Sequence, residues 1–106
     1  AVVVKNGDGT VSGIFSERDV VRRLRSEGPD VLSKSVSECM TKNPFTCTPE
    51  TTLDELMGVM TNRRIRHMPV VEKGKLVGIV SIGDVVKRKI DDAEREAAML
   101  KEYIAS

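Results

Sequence analysis

The sequence predicts an α/β protein built from tandem β-α-β-β-α units, the first of them incomplete. Three observations carry that prediction. Residues 13–21 read GIFSERDVV, and sixty-five positions later residues 78–86 read GIVSIGDVV, a buried strand running into a helix in both places. Aligned over 11–24 and 76–89, the stretches share seven identities in fourteen pairs: Gly13/Gly78, Ile14/Ile79, Ser16/Ser81, Asp19/Asp84, Val20/Val85, Val21/Val86 and Arg23/Arg88. Each stretch also follows a tight-hairpin signal, NGDG in the first copy and KG in the second, where Gly and Asn tolerate the backbone angles a short turn demands.

The elements follow in order. The chain opens inside a strand, AVVV, turns at NGDG and returns through TVSGIF before the first helix. Gly28-Pro29 stops that helix, because Pro disfavours a helical residue before it. The stretch SEGPDVLSKSVSECMTKNP reads as a short linker with one helical turn around Val36–Met40. CTPETTLDELMGVM begins with a strand end, and Thr52 with Glu55 has the spacing of a capping box. Leu53, Leu56, Met57 and Met60 then recur at helical spacing as a buried stripe. That helix ends near NRR, and IRHMPVV opens the next strand. The complete unit covers about residues 44–90. The first copy lacks the leading strand and helix, so the expected domains are 1–34 (the C-terminal half of a first unit), 35–90 (a second unit) and 91–106 (a C-terminal helix). Past Asp84, the residues Val86, Ile90, Ala93, Ala97, Leu100 and Ile104 form a narrow apolar seam, which either packs on its own domain or meets a second subunit.

Composition limits the function. The 106 residues are 40% hydrophobic and 31% charged, with a net charge of +1. That balance argues against wrapping DNA or coating an anionic membrane. The basic runs RRLR, NRRIR and KRK have acidic neighbours and no interleaved aromatic platform, so solvated helix faces fit better than nucleic-acid binding. No apolar run approaches the roughly 20 residues that span a bilayer, and no secretory signal is visible. A cytoplasmic piece of a longer protein is the expectation. Cys39 and Cys47 stand eight apart with no nearby His, which suits free thiols better than a zinc site or a disulfide scaffold. NGDG lacks the further acidic positions of a calcium loop.

The repeated Ser-x-x-Asp, Ser16/Asp19 and Ser81/Asp84, has two readings. As a helix cap, the Ser oxygen accepts from an orphan backbone N–H and the acid bonds back to the Ser N–H. As a ligand site, Gly13, Gly78 and Gly83 allow close approach to the backbone. The helix start then attracts phosphate, and the carboxylate accepts both hydroxyls of a cis-diol such as ribose. Hydroxyl, helix start and acid together suit a nucleoside phosphate. With no catalytic set in evidence, the chain reads as a binding module and not as an enzyme.

These stretches resemble the cystathionine-beta-synthase-type (CBS) domain family, which occurs as tandem pairs. SVSECMTKNPFTCTPETTLDEL, RIRHMPVV and KGKLVGIVSIGDVV match its successive signatures, and AVVVKNGDGTVSGIFSERDVV matches the second half of a first domain. The resemblance implies two units packed with pseudo-twofold symmetry, clefts that take AMP, ATP, NAD-type dinucleotides or S-adenosylmethionine, and a homodimer. It implies that Asp84 holds the ribose diol and Ser81 reaches phosphate or ribose. Thr46, Cys47 and Thr48 would flank the adenine with backbone groups, Met68 and Pro69 would form an apolar wall, and Arg66 and His67 would lie near phosphate. In the first copy Ser16 and Asp19 would repeat the pattern, Arg18 would add a cation, and Ala1 and Val2 would stand on the wall. The implied function is regulatory: adenine nucleotide as ligand, no cofactor required, no metal, an unnamed regulated protein as partner. The alternative is a ligand-free dimerisation or interaction module.

Overall fold

A computed structural model describes residues 1–105. Ser106, the end of the expected C-terminal helix, lies outside the described residues. The order is β1 (Val2–Lys5), β2 (Val11–Phe15), α1 (Glu17–Glu27), a 3-10 helix (Gly28–Ser33), α2 (Val36–Cys39), β3 (Thr41–Lys42), α3 (Leu53–Asn62), β4 (His67–Glu72), β5 (Lys75–Ser81) and α4 (Ile82–Ala105). The chain divides into two compact units. The first holds Ala1–Pro49 with Met68–Ile79, and the second holds Glu50–His67 with the chain from Val80 onward.

In the first unit, β1 and β2 pair antiparallel from Val2 opposite Phe15 to Lys5 opposite Val11. Asn6 and Thr10 close the turn, and Gly9 takes the positive φ of 91° that a side chain would resist. The α1 helix stops at Gly28, whose φ of 77° turns the chain out of the helix while its N–H bonds the Leu24 carbonyl. The segment read as linker is more ordered than its polarity suggested. Pro29 enters the first turn of a 3-10 helix, where its missing N–H costs nothing, and buried Val31 fixes that turn. Then α2 forms where one helical turn was expected.

The chain next lays β3 antiparallel on β2, Ile14 opposite Thr41 and Gly13 opposite Lys42. A Cβ on Gly13 would lie 2.6 Å from Met40 Sδ and 2.7 Å from the Thr41 carbonyl oxygen. The expectation that Gly13 admits a ligand is therefore corrected: the chain itself fills that space. β4 and β5 form a two-stranded hairpin, turning at Lys73-Gly74 with both φ values positive. The Cys47 strand adds a single parallel bridge to Val70. The two hairpins meet where Leu76 N–H bonds the Gly9 carbonyl. Val31, Cys39, Met40, Cys47 and Met68 are buried in this unit.

In the second unit the expected capping box starts α3. Glu55 N–H bonds Thr52 Oγ1 at 3.2 Å, and Thr52 N–H bonds Glu55 Oε2 at 3.3 Å. Leu56 and Met60 of the predicted stripe are buried, and Leu53 and Met57 half-buried. The helix ends where Arg64 takes a φ of 54° and Ile65 N–H reaches back to the Met60 carbonyl. α3 packs against α4, where Val85 is buried. Each such side chain contributes about 1.5–3 kcal/mol of burial. The seam one position on stays exposed. Val86, Ile90, Leu100 and Ile104 all face solvent, which corrects the reading of a tail packed on its own domain.

Candidate functional site

The first junction is closed by its own unit. Asp19 is buried at 4% exposure. Its Oδ2 accepts Ser16 N–H at 2.9 Å and the Ser16 hydroxyl at 3.4 Å. Its Oδ1 accepts Arg22 Nη2 at 2.6 Å and the Thr41 hydroxyl at 3.2 Å. Both carboxylate oxygens thus join α1 to its own N-terminus and to β3. Ser16 is half-buried, and Arg18 is exposed beyond it. Ala1 and Val2, expected on an apolar wall, are exposed.

The second junction completes the same box and leaves it open. Ser81 Oγ donates to Asp84 Oδ2 at 2.8 Å, Ser81 N–H reaches the same oxygen at 3.4 Å, and Asp84 N–H returns to Ser81 Oγ at 3.1 Å. Every bond that Ser81 gives Asp84 goes to Oδ2, and Asp84 is exposed. Among the described residues outside its own helix backbone, a Cβ on Gly83 would have Ser81 Oγ alone within 4 Å, at 3.8 Å. Ile82 N–H bonds the Arg66 carbonyl at 2.8 Å, so the helix mouth is tied to the segment that carries exposed Arg66 and half-buried His67. The helix start thus carries the Ser81 hydroxyl and the Asp84 carboxylate, with the backbone of Arg66 held beside it.

Within the first unit the structure brings Cys47 and Pro69 together. Cys47 N–H donates to the Pro69 carbonyl at 3.0 Å, and Val71 N–H donates to the Cys47 carbonyl at 2.8 Å. Successive residues of an extended strand aim their backbone groups in alternate directions. Cys47 is therefore committed to β4, with Thr46 and Thr48, both exposed, on either side of it. Met68 and Pro69 are almost fully buried. The Cys47 thiol is buried, and burial pushes its pKa up, so it presents a neutral sulfur and not a nucleophile. Cys39 is buried too, and both thiols are free. Among the described residues no group of acids, His and Cys could hold a metal ion, and no helix is long and apolar enough to cross a membrane.

Sequence reasoning missed two residues that decide the first junction. Arg22 had a readable signal, since it stands three positions from Asp19 on one helix face. Thr41 had none, because twenty-two positions separate it from Asp19.

The CBS domain family matches residues 36–91. Among curated proteins the chain is similar to the mitochondrial CBS domain-containing protein CBSX3 of Arabidopsis thaliana, 40% identical over 97% of this chain and 52% of the relative. The chain thus spans about half the length of that relative. Among solved structures it is similar to the CBS-domain containing protein ATU1752 from Agrobacterium tumefaciens, with 52% identity and a TM-score of 0.77 over 83% of this chain and 70% of that one. It is also similar to CBSX2, solved in complex with AMP, with 28% identity and a TM-score of 0.71 over 87% of this chain and 72% of that one.

Proposed function

The chain belongs to the CBS domain family, and from that premise we propose that it is a regulatory module that binds an adenine nucleotide and signals occupancy by a change in conformation. The observation that carries the reading is the exposed Ser81/Asp84 pair at the mouth of α4. In this reading Asp84 accepts the ribose hydroxyls, Ser81 reaches ribose or phosphate, and Arg66 and His67 lie near phosphate. AMP on the similar CBSX2 supports the ligand class. AMP, ATP, an NAD-type dinucleotide and S-adenosylmethionine all carry the required adenosine. The roles of Thr46, Cys47 and Thr48 at the adenine edge, and of Met68 and Pro69 as an apolar wall, are proposed on the family resemblance alone. Ser16, Arg18 and Asp19 are left out of the proposal, because Asp19 already serves the fold of its own unit. A ligand shifts a conformational balance only by its difference in affinity for the two states, so the module acts on an attached domain or partner that senses one state. We further propose that it is a homodimer and works in the cytoplasm. The mitochondrial relative makes fractionation the check on compartment.

Calorimetry with AMP, ATP, NADH and S-adenosylmethionine tests the ligand. One of them binds the full-length protein, and Asp84→Asn weakens it tenfold or more, about the 1.4 kcal/mol of one charged hydrogen bond. Asn keeps a side-chain oxygen that can accept the Ser81 N–H, so the melting temperature stays nearly constant. The second reading is a ligand-free interaction module, and the locally completed box at Ser81/Asp84 favours it. No binding of any of the four at millimolar concentration selects that reading.

A further inference from the structure

We propose that the exposed face of α4 is a self-association surface on which two copies of this chain form a parallel two-stranded coiled coil. The proposal rests on the homodimer reading above and is independent of the nucleotide. With Ile90 at position a of a heptad, Ala97 and Ile104 also fall at a, and Val86, Ala93 and Leu100 fall at d. All six are exposed. The seam runs from Val86 to Ile104, on the order of 28 Å at the helical rise. It starts at a shallow groove lined by Ile82, Gly83, Val86, Lys87, Ile90 and Asp91. At the far end of the seam, Leu100 at d followed by Ile104 at a is the choice that favours two strands over three or four.

Charge decides what covers the seam. Lys89 and Glu96 hold the g positions, and Glu94 and Lys101 hold the e positions. In a parallel pair each g residue faces the e residue five positions on in the other helix. Lys89 then meets the partner's Glu94 and Glu96 meets the partner's Lys101, so both charged pairs are opposite, while Lys87 at the first e position meets the partner's uncharged Ile82. Reversing one helix in the register that buries all six seam residues gives the opposite result. Glu94 then faces the partner's Glu94, Glu96 the partner's Glu96, and Lys87 the partner's Lys101. Self-complementarity in one orientation only is what a second, parallel copy requires. Lys89 already bonds Asp54 at 2.6 Å, and its ammonium has three donors, enough to keep that bond and add another. Two alanine layers make the seam thin, so association depends on concentration.

Sedimentation of the full chain across micromolar to millimolar concentration, with matched charge swaps, tests the proposal. The wild type dimerises. Lys89→Glu/Lys101→Glu and Glu94→Lys/Glu96→Lys each stay monomeric at the same concentrations, with unchanged circular dichroism. An equimolar mixture of the two variants dimerises again, because all their charged pairs become opposite. Ala97→Cys cross-links to itself under mild oxidation, since parallel helices place that position against its own copy. A wild-type monomer throughout overturns the homodimer and the coil together. A wild-type dimer whose swaps still dimerise alone, a mixture that stays monomeric, or an Ala97→Cys variant that fails to cross-link leaves the homodimer standing and removes the coil.

Discussion

The two strand-to-helix junctions share Gly, Ile, Ser, Asp and a Val pair in the same order, yet one is filled and the other open. At the first, Met40 and Thr41 occupy the space beside Gly13, and Asp19 is buried under bonds to Arg22 and Thr41. At the second, nothing among the described residues lies within 4 Å of where a Cβ on Gly78 would stand, and Asp84 is exposed. The cause is one residue beyond the repeat. Gly28 turns the chain out of α1, and the chain returns through the 3-10 helix and α2 to lay β3 on β2. The position sixty-five residues later is Ala93, and α4 runs straight through it. A Gly at positive φ thus separates a junction closed by its own unit from one whose acid stays exposed. Identity of a motif says which chemistry is possible, and the route of the chain afterwards says whether it is available.

Removing the acids should break the symmetry most. Asp19→Ala removes a buried carboxylate and with it the acceptor of the half-buried Ser16 N–H and of the exposed Thr41 hydroxyl, and costs about 1–3 kcal/mol, a fall in melting temperature on the order of 10 °C. The Arg22 arm adds little to that sum, since its side chain is 66% exposed and water screens the pair. Asp84→Ala loses an exposed cap and costs about 0.5–1 kcal/mol. Thermal melts of the two variants side by side give the contrast. Equal losses would mean that both acids are fold devices, and would leave the ligand reading without its main support.

Adding a methyl group probes the space itself. Gly13→Ala drives a Cβ onto a methionine sulfur and a backbone carbonyl. The sulfur can move, but the carbonyl belongs to the β2–β3 ladder and cannot move without breaking it. The cost is about 1–3 kcal/mol, the scale of overpacking. Gly78→Ala meets nothing and gains as much as about 0.5–1 kcal/mol from reduced chain entropy in the unfolded state. Chemical denaturation of both variants reads the difference, and a stabilised Gly13→Ala would refute the filled first junction.

Local chemistry made much of this fold readable. The capping box at Thr52 and Glu55, the Leu56/Met60 stripe, the Lys73-Gly74 hairpin and the stop at Gly28 are all decided by residues within one or two turns of each other, and each lies where its pattern placed it. The resemblance to CBS domains held because it rests on the order of several such patterns. What stayed hidden was set by distance along the chain. β3 is only two residues long, too short for any alternation to register, yet it buries Asp19 and fills the space at Gly13. The apolar seam of α4 was legible as a period, but its exposure was not, because periodicity names a face without naming its neighbour. The same limit applies to Ser16 and Ser81, whose sequence surroundings are nearly alike.

The smallest expected effect sharpens the comparison at the far ends of the two helices. Arg23 bonds Glu27 at 3.1 Å near the end of α1, and the repeat places Arg88 against Asp92 at 3.3 Å in α4. The first pair gains a third member, Lys34, which returns from the 3-10 helix to hold the other Glu27 oxygen. Lys34 first, and Arg23 second, keep the Glu27 carboxyl below the ordinary glutamate range. A lowered folded pKa contributes stability that is present above the unfolded value of about 4.3 and is lost as pH falls through the folded one. Lys34, raised by the same bond, contributes at pH below the ordinary lysine value and loses that contribution as pH rises through its raised one. Both side chains stay in contact with water, about a third of each exposed, so screening keeps the effect on melting slight, and a site-resolved titration is the better measure. Side-chain carbon shifts of Glu27 should show a midpoint below that of a free glutamate, and Lys34→Ala should move it upward part of the way, Arg23 holding the remainder. An ordinary midpoint in the wild type would mean that Gly28 alone turns the chain back, and that the route separating the two junctions needs no ionic clasp.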